Sequence, residues 1–557
     1  MIIDSRILPA EETIEADVCI VGAGPAGITL AREFAEQDFR VCLLESGGFE
    51  LPDETTRSLG EVESDGTFVQ VLPENRNRRF GGNAGYWGVK LSHTQNGVRL
   101  IPFEEVDFEK RDWLPHSGWS FDRQHLDPYY ERAQAIMGAG PYAYDTDHWT
   151  TEETPQLPFK TNRVKTSMFM FGNGQVFTQQ YRIEIDRAPN ITVYCYANAL
   201  ELETDASGQT VNQVRVGTLQ GNRFWVSAKI VLLAAGGVEN THLLMLSNKT
   251  HQNGIGNEYD LLGRFFMDHP IVHGGTIVPF DRQIFNKTAL YDMRDVNGTH
   301  VLGGLTLTKE VMYREQALNI ASWIFPRPRW FPDAEAITSL RRLTQEKCLQ
   351  QGATGFFQDI KNVLMGMDEL VDAAYGKLTK RPDPFWANLS TGNWSQIQQN
   401  KERAYGVFEV LHLVEQVPHP DNRLMLGEGI DALGRRRIHL QSSWQEADLQ
   451  GIDRAQAILA EELAQSGIGR FKPQRGENGE LLVSSLGASH HMGTTRMDHD
   501  PRQGVVDANC KVHGISNLFI AGSSVFPTGS CLTPTLTIVA LATRLADRVK
   551  DIMAGKL

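Results

Sequence analysis

The sequence predicts an α/β fold, because three separated stretches each read as a buried strand that runs into glycines and then a helix. The apolar runs begin near Val18, Lys229 and Leu518. Buried parallel strands read as continuous apolar runs, whereas half-exposed strands alternate apolar and polar residues. We therefore expect one sheet assembled from three segments of the chain.

The first stretch, ADVCIVGAGPAGITLAREFAEQDFRVCLLE, carries the most specific pattern. A strand over 18–21 leads into Gly22, Gly24 and Gly27, a helix follows, and a second strand ends on Glu45. This strand–glycine–helix–strand–acid arrangement is typical of a dinucleotide-binding turn.

Each residue of the turn has a predicted task. Gly22 makes the tight turn, Gly24 lets a pyrophosphate approach the backbone, and Gly27 allows close helix–strand packing. Ala26 lies in the first helical turn, whose free N–H groups attract phosphate. Glu45 is placed to bind the ribose 2′-hydroxyl, so the ligand is FAD or NAD.

Composition excludes several classes of partner. The chain has 557 residues, 41% of them hydrophobic, and a net charge of −14. The negative charge argues against nucleic acid and acidic membranes as partners. No apolar run reaches a membrane span of about 20 residues, and the acidic start does not read as a secretion signal. Six scattered cysteines predict neither disulfides nor a metal site, so a cytoplasmic location is expected.

Two domains are expected from this length. The dinucleotide-binding domain is assigned to 1–115, 190–275 and 485–557, and the substrate domain to 116–189 and 276–484, with a mobile segment near 331–380. Within the first domain, 198–230 reads as an antiparallel meander, 229–237 as a separate buried strand, and about 240–247 as a helix.

Several further motifs occur in a fixed order along the chain. They include RRFGGNAGYWGVKL at 78–91, VLLAAGGVENTHLLMLS at 231–247, DLLGRFFMDHP at 260–270 and SHHMGTTRM at 489–497. As a set they resemble the glucose-methanol-choline (GMC) flavoprotein oxidoreductases, most closely the branch of pyranose 2-oxidase and glycoside 3-oxidases. The resemblance implies a Rossmann-like FAD-binding domain and an α+β substrate domain on a mostly antiparallel sheet. It also implies oxidation of an alcohol by hydride transfer to flavin N5.

Alcohol oxidation needs a base for the hydroxyl proton, and histidine has the most suitable pKa. In the family pattern His-x-x-Gly-Thr the first residue is the catalytic histidine, which corresponds to His490 here. His491 is its rival for this role and a candidate for substrate or flavin contact. His269, in Met-Asp-His-Pro, is expected to secure a turn.

Two departures from the resembled family bear on the chemistry. Thr533 stands where relatives usually carry Asn or His opposite the catalytic histidine. Threonine can form a hydrogen bond with a substrate hydroxyl, but it cannot act as a base. Tyr86 occupies the place from which some relatives attach flavin through a histidine, so we expect FAD to be bound non-covalently.

Further cofactor contacts follow from the resemblance and from the glycine turns. They are Gly81, Gly82, Asn83, Ala84, Ala235, Gly522, Ser523, Pro534 and Thr535. The last two begin the final helix, whose positive end can stabilise charge on the flavin.

Three hypotheses of function remain open at this point. The first is an FAD-dependent oxidoreductase acting on an alcohol of a sugar, glycoside or related polyol natural product. The second is a GMC-fold biosynthetic enzyme carrying out a lyase reaction or an oxidative rearrangement, which Thr533 motivates. The third is a non-catalytic flavin-binding protein. Oxygen, a quinone and a carrier protein are equally open as electron acceptors.

Overall fold

A computed structural model describes residues 1–65, 71, 73–328, 335–344, 352–365, 367, 370, 371, 374, 384–476, 478–484 and 487–556. Within these residues the strands form three sheets, of eight, nine and three strands. Helices pack on the first sheet, whose centre is parallel. This mixed architecture confirms the predicted α/β fold class.

The first sheet draws its strands from both ends and the middle of the chain. They are β1 (Ile2–Asp4), β2 (Thr13–Val21), β3 (Val41–Leu44), β8 (Ile191–Cys195), β9 (Asn198–Thr204), β10 (Val211–Gly217), β11 (Arg223–Leu233) and β20 (Leu518–Ile520). Their order is β1-β8-β3-β2-β11-β10-β9, and β20 pairs in parallel with the last three residues of β11. The last four residues of β2 and β11 and all of β3 are buried, as their apolar runs predict.

The meander differs from the prediction in one respect. The two strands expected within 198–230 and 229–237 are a single strand, β11, of 11 residues. Its first half pairs antiparallel with β10, while Trp225 to Leu233 pair in parallel with β2. This one strand therefore joins the antiparallel part of the sheet to the parallel part. The helix that follows it begins at Gly236 rather than near residue 240.

Three helices begin at the carboxyl edge of the parallel strands, namely α1 (Pro25–Glu33), α6 (Gly236–Leu246) and α13 (Thr535–Met553). The last packs against α1 and α4 (Asp127–Ile136) through a buried apolar face. The other described helices are α2 (Glu54–Ser58), α3 (Glu105–Phe108), α5 (Tyr181–Arg187), α7 (Lys309–Glu315), α8 (Glu335–Leu343), α9 (Gly352–Met365), α10 (Trp394–Ile397), α11 (Lys401–Ala404) and α12 (Glu446–Gln465).

The second sheet is antiparallel throughout. Its strands are β5 (Val89–Lys90), β6 (Asn96–Leu100), β7 (Val164–Asn173), β12 (Ile271–Pro279), β13 (Arg294–Val296), β14 (Thr299–Leu307), β15 (Ile320–Arg327), β16 (Val407–Val414) and β19 (Gly469–Pro473). They follow the order β19-β12-β16-β15-β14-β7-β6-β5, with β13 beside β14. A third, small sheet joins β4 (Val62–Ser64), β17 (Arg423–Ile430) and β18 (Arg436–Gln441).

The sheets do not divide the chain at the limits expected from the sequence. Strands β5 and β6 lie within the 1–115 segment assigned to the dinucleotide domain, yet they pair in the antiparallel sheet. The domain limits themselves stay a prediction. The segment near 331–380 is described in part, and that part contains α8 and α9, so its predicted mobility stays a prediction. No helix in the described part of the chain is long and apolar enough to cross a membrane.

A fully buried ion pair joins the segment after α3 to the end of β16. Arg111 donates from both ends of its guanidinium to the two carboxylate oxygens of Glu415, with an Nη1–Oε2 distance of 2.8 Å. Both side chains are 0% exposed. The N–H of Asn319 also donates to Glu415 at 3.1 Å. A buried charge is tolerable only while its partner and hydrogen bonds are present.

We expect Glu415→Gln to destabilise the protein by about 3–5 kcal/mol, because it leaves the Arg111 charge buried without its ion-pair partner. The midpoints of thermal and urea unfolding measure the loss. The control is Asp547→Asn, which breaks a half-exposed pair with Arg132 and should cost at most about 1 kcal/mol. Equal small shifts in both variants would contradict the structural role of the buried pair.

Candidate active site

A cavity of about 610 Å³ lies between the parallel sheet and the antiparallel sheet. Its first wall consists of the turns at the carboxyl ends of β2, β3, β11 and β20. Its second wall includes one residue from each of four antiparallel strands, namely Arg99, Ile271, Trp323 and Leu413. The volume is typical of ligand-binding pockets, which span roughly 300–1,000 Å³. Ligands of open α/β sheets bind at this edge.

Most residues selected from the sequence line this cavity. They are Gly22, Gly24, Ala26, Glu45, Gly82, Asn83, Ala235, His490, His491, Gly522, Ser523, Thr533, Pro534 and Thr535. Gly27, Gly81 and Ala84 are not in the lining. Gly81 supports it from behind, since its N–H donates to the Ala23 carbonyl at 2.8 Å, and Ala84 is fully buried.

The glycine turn leaves room for a ligand on one side only. A Cβ atom added to Gly27 would lie 1.9 Å from the Gly22 carbonyl oxygen, so α1 packs directly on the strand end. A Cβ atom added to Gly24 would meet nothing within 4 Å. The backbone at Gly24 is therefore open to the cavity, as close approach of a pyrophosphate requires.

Three helix N-termini meet at the cavity without a side-chain cap. The N-cap residues are Gly24 for α1, Ala235 for α6 and Pro534 for α13, and all three line the cavity. A helix N-terminus carries free N–H groups and a partial positive charge. Their convergence favours negatively charged groups, such as a pyrophosphate or a reduced flavin ring.

Glu45 ties the end of β3 to the glycine turn. Its Oε2 accepts a hydrogen bond from the Ala23 N–H at 2.9 Å, and its Oε1 accepts one from the Gly47 N–H at 2.9 Å. Burial raises the pKa of Glu45, while these backbone hydrogen bonds act in the opposite direction. A carboxylate has further lone pairs, so Glu45 retains acceptor capacity for a ribose hydroxyl.

A buried charge cluster on the same side was not identified from the sequence. Arg76 and Arg78 line the cavity and form ion pairs with Glu239 of α6 at 2.8 and 2.7 Å. Burial would raise the pKa of Glu239, but the charges of Arg78 and Arg76 and a hydrogen bond from His242 hold it well below its ordinary value. The basic run Arg76-Asn77-Arg78-Arg79 just before Gly81 was the available signal.

His490 lies on the other side, against a second histidine. The Nδ1 atoms of His490 and His269 are 2.8 Å apart, and the two rings are nearly perpendicular at 86°. The Nε2 of His269 is 2.9 Å from the Gly529 carbonyl oxygen. The expectation that His269 only secures a turn was therefore incomplete, since it also contacts the predicted base.

These contacts determine which nitrogens carry protons. A carbonyl oxygen only accepts, so Nε2 of His269 must be protonated. Burial lowers the pKa of His269 to about 4, so the ring is neutral and its Nδ1 is an acceptor. His490 must then donate from Nδ1, which leaves its Nε2 with a free lone pair.

His490 is neutral in this environment. Burial lowers its pKa well below the ordinary value, and the nearby His269, His491 and Arg99 lower it further. Its Nε2 has no hydrogen-bond partner in the part of the chain that the structure describes, and the ring lines the cavity. The site thus presents an unprotonated nitrogen to a ligand.

His491 has different surroundings. Its ring stacks on Phe266, with centroids 5.8 Å apart. Burial lowers its pKa to about 3, with a smaller contribution from Arg76. Its buried Nε2 finds no hydrogen-bond partner among the described residues, although the side chain lines the cavity. His491 is therefore close to the charge cluster, whereas His490 is close to Arg99.

Asp268 holds the two histidine segments together and was not singled out from the sequence. Its Oδ1 accepts from the N–H groups of His490 at 2.7 Å and of His269 at 2.6 Å. Burial raises the pKa of Asp268 to about 7. The motif Met-Asp-His-Pro contained the signal, but its meaning depends on the partner segment more than 200 residues away.

The hydroxyl proton of Thr533 is already used in a hydrogen bond within the protein. Its Oγ1 donates to the Arg99 carbonyl oxygen at 2.7 Å. While this bond is held, the hydroxyl can only accept a further hydrogen bond from a ligand.

The residues present fit a flavin dinucleotide. The open backbone at Gly24, the three uncapped helix N-termini and the unpartnered Nε2 of His491 all lie on one continuous cavity. Among the described residues, no group of three or more His, Cys, Asp or Glu side chains could hold a metal ion.

Comparisons with known proteins agree with this geometry. A family model described as GMC oxidoreductase matches residues 418–542, and one described as FAD dependent oxidoreductase matches 17–253. The first range contains His490 and Thr533, and the second contains the glycine turn and α6.

The chain is similar over its full length to the fructose dehydrogenase large subunit of Gluconobacter japonicus, with 23% identity over 98% of this chain and 100% of the relative. It is 35% identical to a C-glycoside 3-oxidase of Microbacterium trichothecenolyticum over 23% of this chain and 24% of that protein. A solved formate oxidase variant of Aspergillus oryzae RIB40 shares the fold, with a TM-score of 0.53 and 17% identity over 98% of this chain and 100% of that chain.

The family models thus match both the cofactor turn and the histidine segment that border the cavity. The protein is an FAD-dependent oxidoreductase, and its residues 418–542 match the GMC oxidoreductase family.

Proposed function

We propose that the protein oxidises a CH–OH group of a sugar, glycoside or related polyol natural product, with His490 as the base. The observation that carries this proposal is the free Nε2 of His490, which the hydrogen bond to His269 keeps unprotonated at the cavity. The names of two relatives, a fructose dehydrogenase subunit and a C-glycoside 3-oxidase, support a sugar-type alcohol.

The proposed reaction divides the two hydrogens of the carbinol between two acceptors. The hydroxyl proton moves to Nε2 of His490, and a carbonyl forms as the C–H electron pair leaves the carbon. When bound, FAD supplies the two-electron acceptor at its N5 atom. Because Thr533 already donates to the Arg99 carbonyl, it would accept a hydrogen bond from a neighbouring hydroxyl of the substrate, which orients the molecule and leaves the proton of the reacting hydroxyl to His490.

FAD is proposed to be held non-covalently by the first wall of the cavity. The turn at Gly22, Gly24 and Ala26 and the N-termini at Ala235 and Pro534 would bind its phosphate and ring charges. Glu45 would bind the ribose, and His491 would donate to the cofactor from its unpartnered Nε2.

Anaerobic mixing of the enzyme with sugars, glycosides and polyols tests the proposed function. Loss of the flavin absorbance, together with a product two hydrogens lighter than the substrate, is the expected result. Smaller cleavage products, or a product with a rearranged carbon skeleton, would instead favour the lyase reaction or oxidative rearrangement that Thr533 suggested.

The protein should release free FAD when it is denatured by acid or heat. Tyr86 lines the cavity where a linking histidine would be needed, and it offers no imidazole nitrogen. The measurement is flavin absorbance in the supernatant after precipitation. Flavin that stays with the precipitated polypeptide would show a covalent bond and contradict the prediction.

His490→Ala should keep FAD and the fold but slow flavin reduction by at least ~10²-fold, the usual effect of losing a positioned base. Stopped-flow absorbance measures the rate. Thr533→Val should cost less, about three- to ten-fold, because one neutral hydrogen bond contributes about 0.5–1.5 kcal/mol.

The same experiment has an internal control in His491→Ala. A loss of reduction in that variant, with His490→Ala unaffected, would place the base one residue later. In the wild type, protonation of His490 should not slow reduction as pH falls through 6.5, because the depressed pKa keeps His490 neutral to lower pH, whereas a change near pH 7 would report the titration of Asp268.

His269 should act as a positioning residue, because its Nδ1 accepts the proton of His490 Nδ1 in a hydrogen bond and so leaves Nε2 of His490 unprotonated. His269→Phe removes the acceptor at Nδ1, so reduction should slow about three- to ten-fold. His269→Asn retains an acceptor and should recover most of the rate. Equal losses in both variants, without a change in the pH profile, would indicate that His269 serves only packing.

A further inference from the structure

The arginines that line the cavity differ in whether a carboxylate neutralises their charge. Three of the four that line it form ion pairs with carboxylates at 2.7–2.8 Å, namely Arg76 and Arg78 with Glu239 and Arg435 with Asp431. The fourth, Arg99, has no ion pair within the described residues. Its guanidinium donates to the Leu389 carbonyl oxygen, and its buried Nε has no partner in the described structure.

Arg99 belongs to the substrate side of the cavity. It lies on β6 of the antiparallel sheet, and its guanidinium carbon is 5.2 Å from the Trp323 ring centroid. Its carbonyl accepts the hydrogen bond of Thr533, and its charge contributes to the low pKa of His490. The side chain is therefore held close to both residues that are proposed to bind the substrate hydroxyl.

The charge of Arg99 persists at neutral pH. Burial lowers its pKa to about 10, which still leaves the guanidinium protonated. Arg99 is half-buried in the cavity wall, and a cation held there without a counterion is unfavourable, so an anionic ligand relieves that cost. Two guanidinium donors in a plane match the two oxygens of a carboxylate.

The other groups around Arg99 do not supply this anion. Ile271 and Leu413 on the same wall are apolar. Asp292 borders a small neighbouring void of about 10 Å³ together with Arg99. Its Oδ2 accepts from the hydroxyl and the N–H of Ser395 at 2.6 and 2.8 Å, and its buried Oδ1 has no hydrogen-bond partner among the described residues, but no ion pair joins it to Arg99. Among the described residues, no carboxylate therefore neutralises Arg99.

We propose that Arg99 binds a carboxylate of the substrate, so that the sugar-type or polyol alcohol that is oxidised also carries an acid group and is a hydroxy acid. This inference rests on the proposed function for the oxidation itself. A single unpaired arginine matches a single negative charge, which favours a carboxylate over a phosphate dianion. The hydroxyl of the same molecule reaches His490, its proton moves to Nε2, and its hydride equivalent passes to the flavin.

Binding of simple carboxylates to the holoenzyme tests the assignment without turnover. The probes are propionate and benzoate, compared with propionamide and benzamide at constant ionic strength. Binding is followed by perturbation of the flavin spectrum and by tryptophan fluorescence, since Trp323 lies beside Arg99. The acids should bind at least ten-fold more tightly than the amides.

Arg99→Met should weaken carboxylate binding ten- to hundred-fold and leave amide binding unchanged, as expected for a charge-assisted hydrogen bond. Arg99→Lys should bind carboxylates with an affinity between those of the wild type and Arg99→Met. The matched control is Arg294→Met, since Arg294 is on β13 of the same sheet, donates to the Trp149 carbonyl at 3.2 Å and does not line the cavity. That variant should bind both probe types like the wild type.

Equal affinity for acids and amides in the wild type would overturn the proposal even if no Arg99 variant folds. So would unchanged carboxylate affinity in Arg99→Met, or oxidation of neutral alcohols in preference to matched hydroxy acids. Arg99-dependent carboxylate binding with no flavin reduction by any alcohol would leave the anion site standing and contradict the oxidation instead.

Discussion

Convergence of three uncapped helix N-termini on one cavity is the constraint on which the rest of the site depends. Helices α1, α6 and α13 begin at the carboxyl edge of the parallel strands, and each directs free N–H groups toward the same space. Their partial charges add, because the strands that precede them are parallel neighbours. An anionic dinucleotide balances this field, and the open backbone at Gly24 lets it approach. Glu45 holds the first turn in place through the Ala23 N–H.

The second element of the site is a chain of hydrogen bonds that controls one proton. The Gly529 carbonyl sets the protonated nitrogen of His269, and His269 in turn sets that of His490. Asp268 holds the backbones of both histidines from behind. Because burial keeps both rings neutral, the arrangement presents a lone pair rather than a proton at the cavity. For the base proposed here, His490, the free lone pair is set by His269 rather than by the residue at position 533, which is threonine.

Charge is distributed unevenly between the two walls of the cavity. On the dinucleotide side, the cations Arg76 and Arg78 are balanced by Glu239. On the antiparallel sheet, Arg99 has no counterion among the described residues and is tied to the active centre through Thr533. Thr533 thus connects the start of the final helix with the strand that carries Arg99. Through this hydrogen bond, the start of the final helix on the dinucleotide wall and strand β6 on the opposite wall hold each other in place.

Local patterns in the sequence determined the parallel strands, the glycine turn, the final helix and the choice of His490, since each is encoded within a few neighbouring residues. The sequence also indicated most of the cavity lining. It did not reveal that β11 is one strand, or that β5 and β6 join the antiparallel sheet, because strand pairing is decided by distant partners. Nor did it show the roles of His269, Asp268 and Arg99. His269 and His490 are 221 residues apart, and the protonation of one depends on the carbonyl that the other reaches. Only the folded chain brings such groups within hydrogen-bond distance. An unpaired charge such as that of Arg99 becomes unfavourable only when folding removes it from water.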